Sequence, residues 1–505
     1  MHLDPWKNEI KARVLLRSAL VSATVERSGS DFFQGPWPWI MAAIVVVVVA
    51  ALVLVAPYVR IGRADPRGVG GVAEIDEIAS RSDVNVLFIL IDTLRADRMS
   101  AYGYERETTP NIDLLASRGV RFSRNLAQSS WTKASMASLW TGLYPQRAGV
   151  TRFEDGVPEE AVMPAEVLKE AGFRTAGIWL NGWVDPSFGF SQGFDVYTRP
   201  SAGPVPVTVR VENPTIVTRG NDADAVHAAQ EFLRIHGHER WFLYLHLMDI
   251  HEYTYDEDSA LFGTSYSDVY DNSIRRVDDL VGQLLYSLAE SGDLERTIVV
   301  ITSDHGEAFR ERGFEGHARQ VFPESTEVPL IMSLPFMLEP GVVVDSRSAN
   351  VDIWPTVFDL LGLDFPAEVD GRSQLPAILS EVKNEDPGAD ERFAFAHLDR
   401  RWGQPKDEEA EGIRDLVAVV EGPYRLVRTP TRSGTYRDRL FDSRLDDGSE
   451  LRDVIEEQPE VAARLRARAV QYLDGSESPW SEDNPEVEID EMQLNLLRAL
   501  GYQLP

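Results

Sequence analysis

The sequence predicts an α/β fold with a mostly parallel sheet flanked by helices, and three observations carry that prediction. Three apolar runs, NVLFILID (85–92), WFLYLHL (241–247) and TIVVITSDHG (297–306), lack the alternation of a half-exposed strand and read as strands buried on both faces. Helical patterns lie between them, among them NIDLLASRGV, AEVLKEAGF and NSIRRVDDLVGQLLYSLAESG. Strands that alternate with helices are joined by crossovers, and crossovers pair strands in parallel.

Taken in order, residues 1–36 form a polar N-terminal segment. An uncharged stretch, 32–59, overlaps it, and its core at 37–58 is predicted to be a transmembrane helix. A bilayer core of about 30 Å needs a helix of ~20 residues. Trp37, Trp39 and Tyr58 stand at the ends, where an aromatic belt is expected. A soluble helix of this length would carry a polar face, which this one lacks. A cleaved signal peptide fits poorly, because the apolar run is long and a polar segment precedes it. Lys7, Lys11, Arg13, Arg17 and Arg27 lie before the span and Arg60, Arg63 and Arg67 after it, so flanking charge does not fix the orientation. Residues 59–82, rich in Gly, Asp and Arg, read as a linker.

The main α/β domain is expected at 83–379, with VDIWPTVFDLLGL as an apolar helix near its end. Residues 380–412 (EVKNEDPGADER, QPKDEEAEG) read as an acidic surface excursion. In 413–480, DLVAVVEGPYRLVRT and YRDRLFDSRLDDG look like antiparallel strands with turns, and PEVAARLRARAVQYL is an amphipathic helix. Together they predict a small C-terminal α+β subdomain. A tail helix (EIDEMQLNLLRALGY) is expected within 481–505, and no internal repeat is visible.

The formal net charge of −31 argues against nucleic acid as a partner and disfavours anionic lipid head groups. The same field repels phosphate and sulfate esters, so a site for either needs local cations. The chain has no cysteine, which excludes disulfides, thiolate metal sites and thiol nucleophiles.

Two of the apolar strands end in carboxylates, one at Asp92 and the other at Asp304, with His305 next to it. Ligands of open α/β sheets bind outside the carboxyl ends of the strands. Two Asp and one His at that edge make an O,O,N set for one divalent metal: Zn or Mn, or Mg or Ca where more oxygens join. Either Asp alone could simply cap a turn; the Asp–His–Gly sequence favours the metal. Of the nine histidines, His251 (HLMDIHEY) and His317 (GFEGHARQ) are further candidates. His246 and Asp249 share the first segment and rank lower, since His246 falls inside a strand. In SSWTKASMASLWTG (129–142), Thr132 and Lys133 stand where a helix begins. Thr132 can be an N-cap, the commoner use of a hydroxyl there. It also sits at the positive end of the helix dipole, where an anion binds.

The long segment from NVLFILIDTLRADRMSAYGYERETTPN through SSWTKASMASLWTGLYPQRAGV resembles the opening of the sulfatase-like branch of the alkaline phosphatase superfamily. The likeness continues in family order through HLMDIHEY, SDHGEAFRERGFEGHARQ, VPLIMSLP, VDIWPTVFDLLGL and RLFDSRLDDGSELRDV. It implies an alkaline-phosphatase-like catalytic domain at 83–379. It also implies one divalent metal held by Asp92, Asp304 and His305 with Thr132 as ligand and nucleophile. Lys133, His251 and His317 would surround the substrate anion, and His317 would protonate the leaving group.

Family sulfatases carry Cys or Ser at the Thr132 position, within C/S-x-P-S-R, and convert it to formylglycine. Here Ala134 replaces the Pro and Met136 the Arg, and threonine is not a substrate for that conversion. The GKWHLG stretch is also absent; GIWLNGW (177–183) aligns there without its Lys or His. A threonine nucleophile is similar to that of the phosphoethanolamine and glycerol-phosphate transferases of the superfamily. The resemblance therefore implies a membrane-anchored, one-metal hydrolase or transferase of phosphate esters on small molecules, lipids or glycans. It would span the membrane once, with the catalytic domain on the extracytoplasmic side. The alternatives are hydrolysis of sulfate esters through an unmodified Thr and, from a different class, a catalytically silent binding protein of the same fold.

Overall fold

The apolar runs form the middle of one eight-stranded sheet. Its strands are β1 (Asn85–Ile91), β2 (Val120–Phe122), β3 (Arg174–Ile178), β4 (Val196–Thr198), β5 (Trp241–Leu247), β6 (Thr297–Thr302), β7 (Leu330–Ser333) and β8 (Val342–Val344). Their order is β8-β2-β7-β6-β1-β5-β3-β4. Every residue of β1, β5 and β6 is buried, as a strand covered on both faces requires. All pairings are parallel except those of β7, which runs antiparallel to both β2 and β6. The computed structural model describes residues 65–202, 220–366, 368–386, 392–404, 415–446 and, with breaks of one or two residues, 448–498. The expected membrane span at 37–58 lies outside them. Among the described residues no helix is long and apolar enough to cross a membrane.

The helices of seven or more residues are α1 (Val72–Ile78), α2 (Pro110–Ala116), α3 (Thr132–Thr141), α4 (Pro164–Glu170), α5 (Asp222–His236), α6 (Tyr266–Ser291), α7 (Ile353–Leu361), α8 (Leu375–Val382) and α9 (Pro459–Asp474). The longest, α6, starts where the Ser265 hydroxyl accepts from the Asp268 N–H and ends at Gly292 in the left-handed region (φ 78°). It buries Ile274, Val277, Val281, Leu284 and Leu288, one apolar stripe at helical spacing.

Two boundaries differ from expectation. The linker expected at 59–82 holds α1, whose Ile75 and Ile78 are buried one turn apart. A run dominated by Gly, Asp and Arg hid that short i, i+3 pattern. The acidic excursion expected at 380–412 holds the last turn of α8 and a strand, β9 (Phe393–Asp399). This strand is the edge of an antiparallel four-stranded sheet completed by β10 (Asp415–Glu421), β11 (Tyr424–Pro430) and β12 (Tyr436–Asp442). The C-terminal subdomain therefore begins ahead of the expected residue 413. Helix α9 covers this sheet, packing Ala462, Leu465 and Ala469 against Val417, Val419, Leu426 and Leu440. The tail helix expected within 481–505 lies largely outside the described residues.

Register sets the functional edge. Leu90 of β1 pairs with His246 of β5 on one side and with Thr302 of β6 on the other. Asp92 and Asp304 each follow their paired residue by two positions, so the register brings them level at the carboxyl end of the sheet.

Candidate active site

Asp92, Asp304 and His305 are fully buried and offer ligand atoms that all lie within 4.8 Å of one another. The local chain holds each in place. Oδ2 of Asp92 accepts from Nδ2 of Asn181 (2.7 Å) and faces Nε2 of His246 (3.2 Å), whose other ring nitrogen meets the Tyr244 hydroxyl (2.7 Å). Oδ1 of Asp304 accepts from the backbone N–H groups of His305 (3.0 Å) and Thr93 (3.4 Å). Thr93 reaches that position with a left-handed backbone (φ 61°). Gly306 follows His305 because a Cβ there would collide with the carbonyl oxygen of Glu324.

The remaining atoms point to a cation. Oδ1 of Asp92 and Oδ2 of Asp304 are buried and have no hydrogen-bond partner. Nδ1 of His305 lies 3.0 Å from the Gly306 carbonyl oxygen, which can only accept, so Nδ1 carries the proton and Nε2 the lone pair. That lone pair is 3.3 Å from the unpartnered Oδ2 of Asp304. Acceptors left unpaired inside a protein are unfavourable unless a cation or donor joins them. Two carboxylate oxygens and one imidazole nitrogen suit a divalent metal of the Zn or Mn type, and the donor set fits such an ion.

The two carboxyls are shifted in opposite directions. Burial alone would raise Asp92, but the His246 hydrogen bond and the neighbouring His251 and His305 hold it well below the usual carboxylate range. Asp304 is raised, first by burial and then by the charge of Asp92.

Thr132 is the first residue of α3, and the residue in the cap position is Trp131, which makes no side-chain cap bond. The Thr132 hydroxyl instead lies 3.1 Å from the lone-pair nitrogen of His305 and 3.4 Å from Nδ2 of Asn181. It stands beside the Asp–Asp–His set, at the positive end of a buried helix. Ser135, one turn on, donates to the Asp304 carbonyl (2.5 Å) and ties α3 to the end of β6. Lys133 is buried, with Nζ 2.7 Å from the Phe153 carbonyl oxygen and 3.6 Å from the centre of the Phe188 ring.

His305, His317 and His251 form a row, with ring centres 4.6 Å and 4.9 Å apart. Burial pushes His251 down to about 4, so it is neutral. Burial works against charge on His317 too, but the Glu307 carboxylate, 3.1 Å from its Nδ1, raises it overall. One neutral and one cation-prone imidazole thus lie side by side. A cleft of about 940 Å³ opens next to His251, Glu307 and His317.

Asp92, Thr132, His246, His251, Asp304, His305 and His317 therefore have polar atoms or rings at this one edge, and Lys133, next to Thr132 in α3, has its amine at the Phe153 carbonyl oxygen. Three neighbours were not assigned from the sequence. His246 ranked low because it lies within a strand. Asn181 sits in GIWLNGW, where the sequence showed only a missing Lys and His. Glu307 is the last letter of SDHGE, but no spacing tied it to His317.

Comparison with known proteins agrees with the geometry. The sulfatase family model matches residues 84–363, and the C-terminal model of N-sulphoglucosamine sulphohydrolase matches 311–472. Steryl-sulfatase of Mus musculus is 24% identical over 429 residues, spanning 63% of this chain and 69% of that protein. N-acetylgalactosamine-6-O-sulfatase of Bacteroides thetaiotaomicron is 23% identical over 490 residues, spanning 75% and 91%. The crystal structure of a phosphonate monoester hydrolase of Agrobacterium radiobacter superposes with a TM-score of 0.60 at 18% identity, covering 78% of this chain and 96% of that one.

Proposed function

This chain belongs to the sulfatase family and is a hydrolase acting on ester bonds; from that premise we propose a metal-dependent enzyme that cleaves phosphate or phosphonate esters through Thr132. The observation that carries the reading is the Thr132 hydroxyl, at the first position of α3 and 3.1 Å from Nε2 of His305. Asp92, Asp304 and His305 would hold the metal, which when bound supplies Lewis acidity toward an oxyanion ester and makes a nearby hydroxyl more acidic. Asn181 holds Asp92 and the Thr132 oxygen in fixed relation. The Thr132 hydroxyl gives up its proton to solvent and its oxygen attacks phosphorus in line with the leaving alcohol; the P–O bond to that alcohol breaks, and the protonated His317 gives the alcohol its proton. Water or a second alcohol then attacks the phosphothreonine, with His317 taking the proton back; the P–O bond to Thr132 breaks and the Thr132 oxygen regains a proton from solvent. The positive end of α3 favours the anion throughout.

A phosphoryl group suits this nucleophile because a threonine ester must be released by a second in-line attack. A formylglycine hydrate would release its ester by elimination, a route closed to threonine. A second reading, sulfate ester hydrolysis through unmodified Thr132, is favoured by the family model and by the names of the sulfatase relatives. Turnover of aryl phosphate, phosphodiester, phosphonate and sulfate esters, each with several divalent metals, separates the two. Phosphate or phosphonate turnover well above sulfate is expected, and the reverse order would install the second reading. The proposal includes a single-pass membrane anchor at 37–58 with the catalytic domain outside the cytoplasm. An active cytoplasmic reporter fused after Arg81, with a silent periplasmic one, would reverse that placement.

A further inference from the structure

The cleft beside His317 does not share the charge of the chain. One wall comes from the catalytic domain and includes Arg319 and Phe314; the other comes from the C-terminal sheet and includes Arg400, Trp402 and Arg439. Two carboxylates also line it: Glu307 meets His317 through Oε2, and Glu315 meets Arg310. Arg319 and Arg400 have no carboxylate partner among the described residues and are exposed. Nε of Arg439 is a buried donor without an acceptor, and the guanidinium lies over the Phe322 ring (4.6 Å). Burial and the adjoining Arg312 and Arg437 push Arg439 below its usual pKa, which marks a place short of negative charge. Three guanidinium groups around one cleft, in a chain of net charge −31, are what an anion needs in order to enter against the overall field. The cleft is also larger than one tetrahedral oxyanion requires, since clefts of about 300–1,000 Å³ hold whole drug-sized ligands.

We propose that this cleft is a second anion subsite: the alcohol half of the substrate carries its own phosphate, sulfate or carboxylate, gripped by Arg319, Arg400 and Arg439. Guanidinium groups suit such a role because their planar N–H forks match the oxygens of these anions. Exposed Phe314 and half-buried Trp402 flank the alcohol's carbon frame. The inference rests on the reading of Thr132 and the Asp–Asp–His set as the reacting centre, which places one anion there and the other in the cleft.

The test separates the two ideas by measuring binding without turnover. Metal-loaded Thr132→Ala protein is titrated by calorimetry with glucose 1,6-bisphosphate and with glucose 6-phosphate. The bisphosphate is expected to bind about tenfold tighter or more, the effect of one or two charge-assisted hydrogen bonds. Arg319→Glu and Arg400→Glu, both at exposed positions that folding should tolerate, are expected to bring that ratio toward one, and adding Arg439→Gln to abolish it. A ratio near one in the Thr132→Ala protein overturns the inference, and so does a preference that survives all three replacements. Failure of the reaction itself shows up separately, as absent turnover of aryl phosphate by the unaltered enzyme.

Discussion

Two buried carboxylate pairs stand at the same edge of the central sheet, and they differ in one respect. In the pair Asp222 and Asp249, every oxygen is spoken for. The two oxygens of Asp222 accept from the N–H groups of Met248 (2.6 Å) and Asp249 (2.9 Å), while Asp249 accepts from the Asp222 N–H (3.3 Å) and from Arg276 (2.8 Å). In the pair Asp92 and Asp304, each keeps one oxygen without a partner, next to an imidazole lone pair. The first pair is a clamp that fixes the turn leading to His251. The second offers the ligand set proposed for the metal. Burial and proximity of acids are common to both, so neither singles out the second pair; two unspent carboxylate oxygens grouped with an imidazole nitrogen do.

Substitution should separate the pairs cleanly. Asp304→Asn, which keeps the acceptor for the Thr93 and His305 N–H groups and replaces only the unpaired Oδ2, is expected to lower kcat/KM on the order of 10³-fold or more and to abolish metal binding, with the thermal midpoint nearly unchanged. Asp222→Ala should do the opposite. It strands two buried N–H groups and is expected to cost roughly 2–5 kcal/mol in unfolding free energy while the folded protein keeps full metal stoichiometry. Metal analysis and denaturant titration on both variants check this; a metal-replete Asp304→Asn would dissolve the contrast.

Asn181 sharpens the comparison, since it touches both Asp92 and the Thr132 oxygen without being a ligand. Asn181→Ala is expected to weaken metal affinity and kcat/KM by about 10- to 100-fold, the usual effect of removing a partner that orients a ligand. Unchanged metal affinity measured by competition with a chelator would show that Asp92 needs no such support.

A further buried acid, Asp278, gives the smallest effect. Asp278 accepts from the N–H groups of Asn111 and Ile112 at the start of α2, yet burial pushes it up to about 7. Its folded pKa lies above the ordinary 3.8, so its contribution to stability is full below about pH 4 and is lost as pH rises through about 7. The parent protein should therefore lose more stability between pH 5 and pH 8 than Asp278→Asn does. Parallel melting curves would contradict this.

The legibility of these features in the sequence follows from the same physics. Asp92, Asp304 and His305 stood out because each ends or follows an unbroken apolar run, and parallel register makes such ends level. Thr132 was visible as a helix start, but only the structure shows the cap position taken by Trp131 and the hydroxyl turned to His305. His246 and Asn181 act through side-chain direction from inside a strand and from a turn, which no spacing encodes. Strand β9 was obscured because Phe393, Phe395 and Leu398 are flanked by acidic stretches that dominated the reading of 380–412. Its burial comes from pairing with β10, a partner on the far side of a polar segment.

The central claim is that the Thr132 hydroxyl becomes covalently bound to the substrate's phosphoryl group, and one measurement addresses it directly. The metal-loaded enzyme is mixed with a slowly cleaved aryl phosphate, quenched in acid and digested, and the peptide holding Thr132 is fragmented by mass spectrometry. A phosphate adduct is expected on Thr132, absent from the neighbouring Ser129, Ser130 and Ser135, with turnover reduced by several orders of magnitude in Thr132→Ala. Ordinary turnover by Thr132→Ala at full metal occupancy, with no adduct on residue 132 of the unaltered enzyme, would contradict the account.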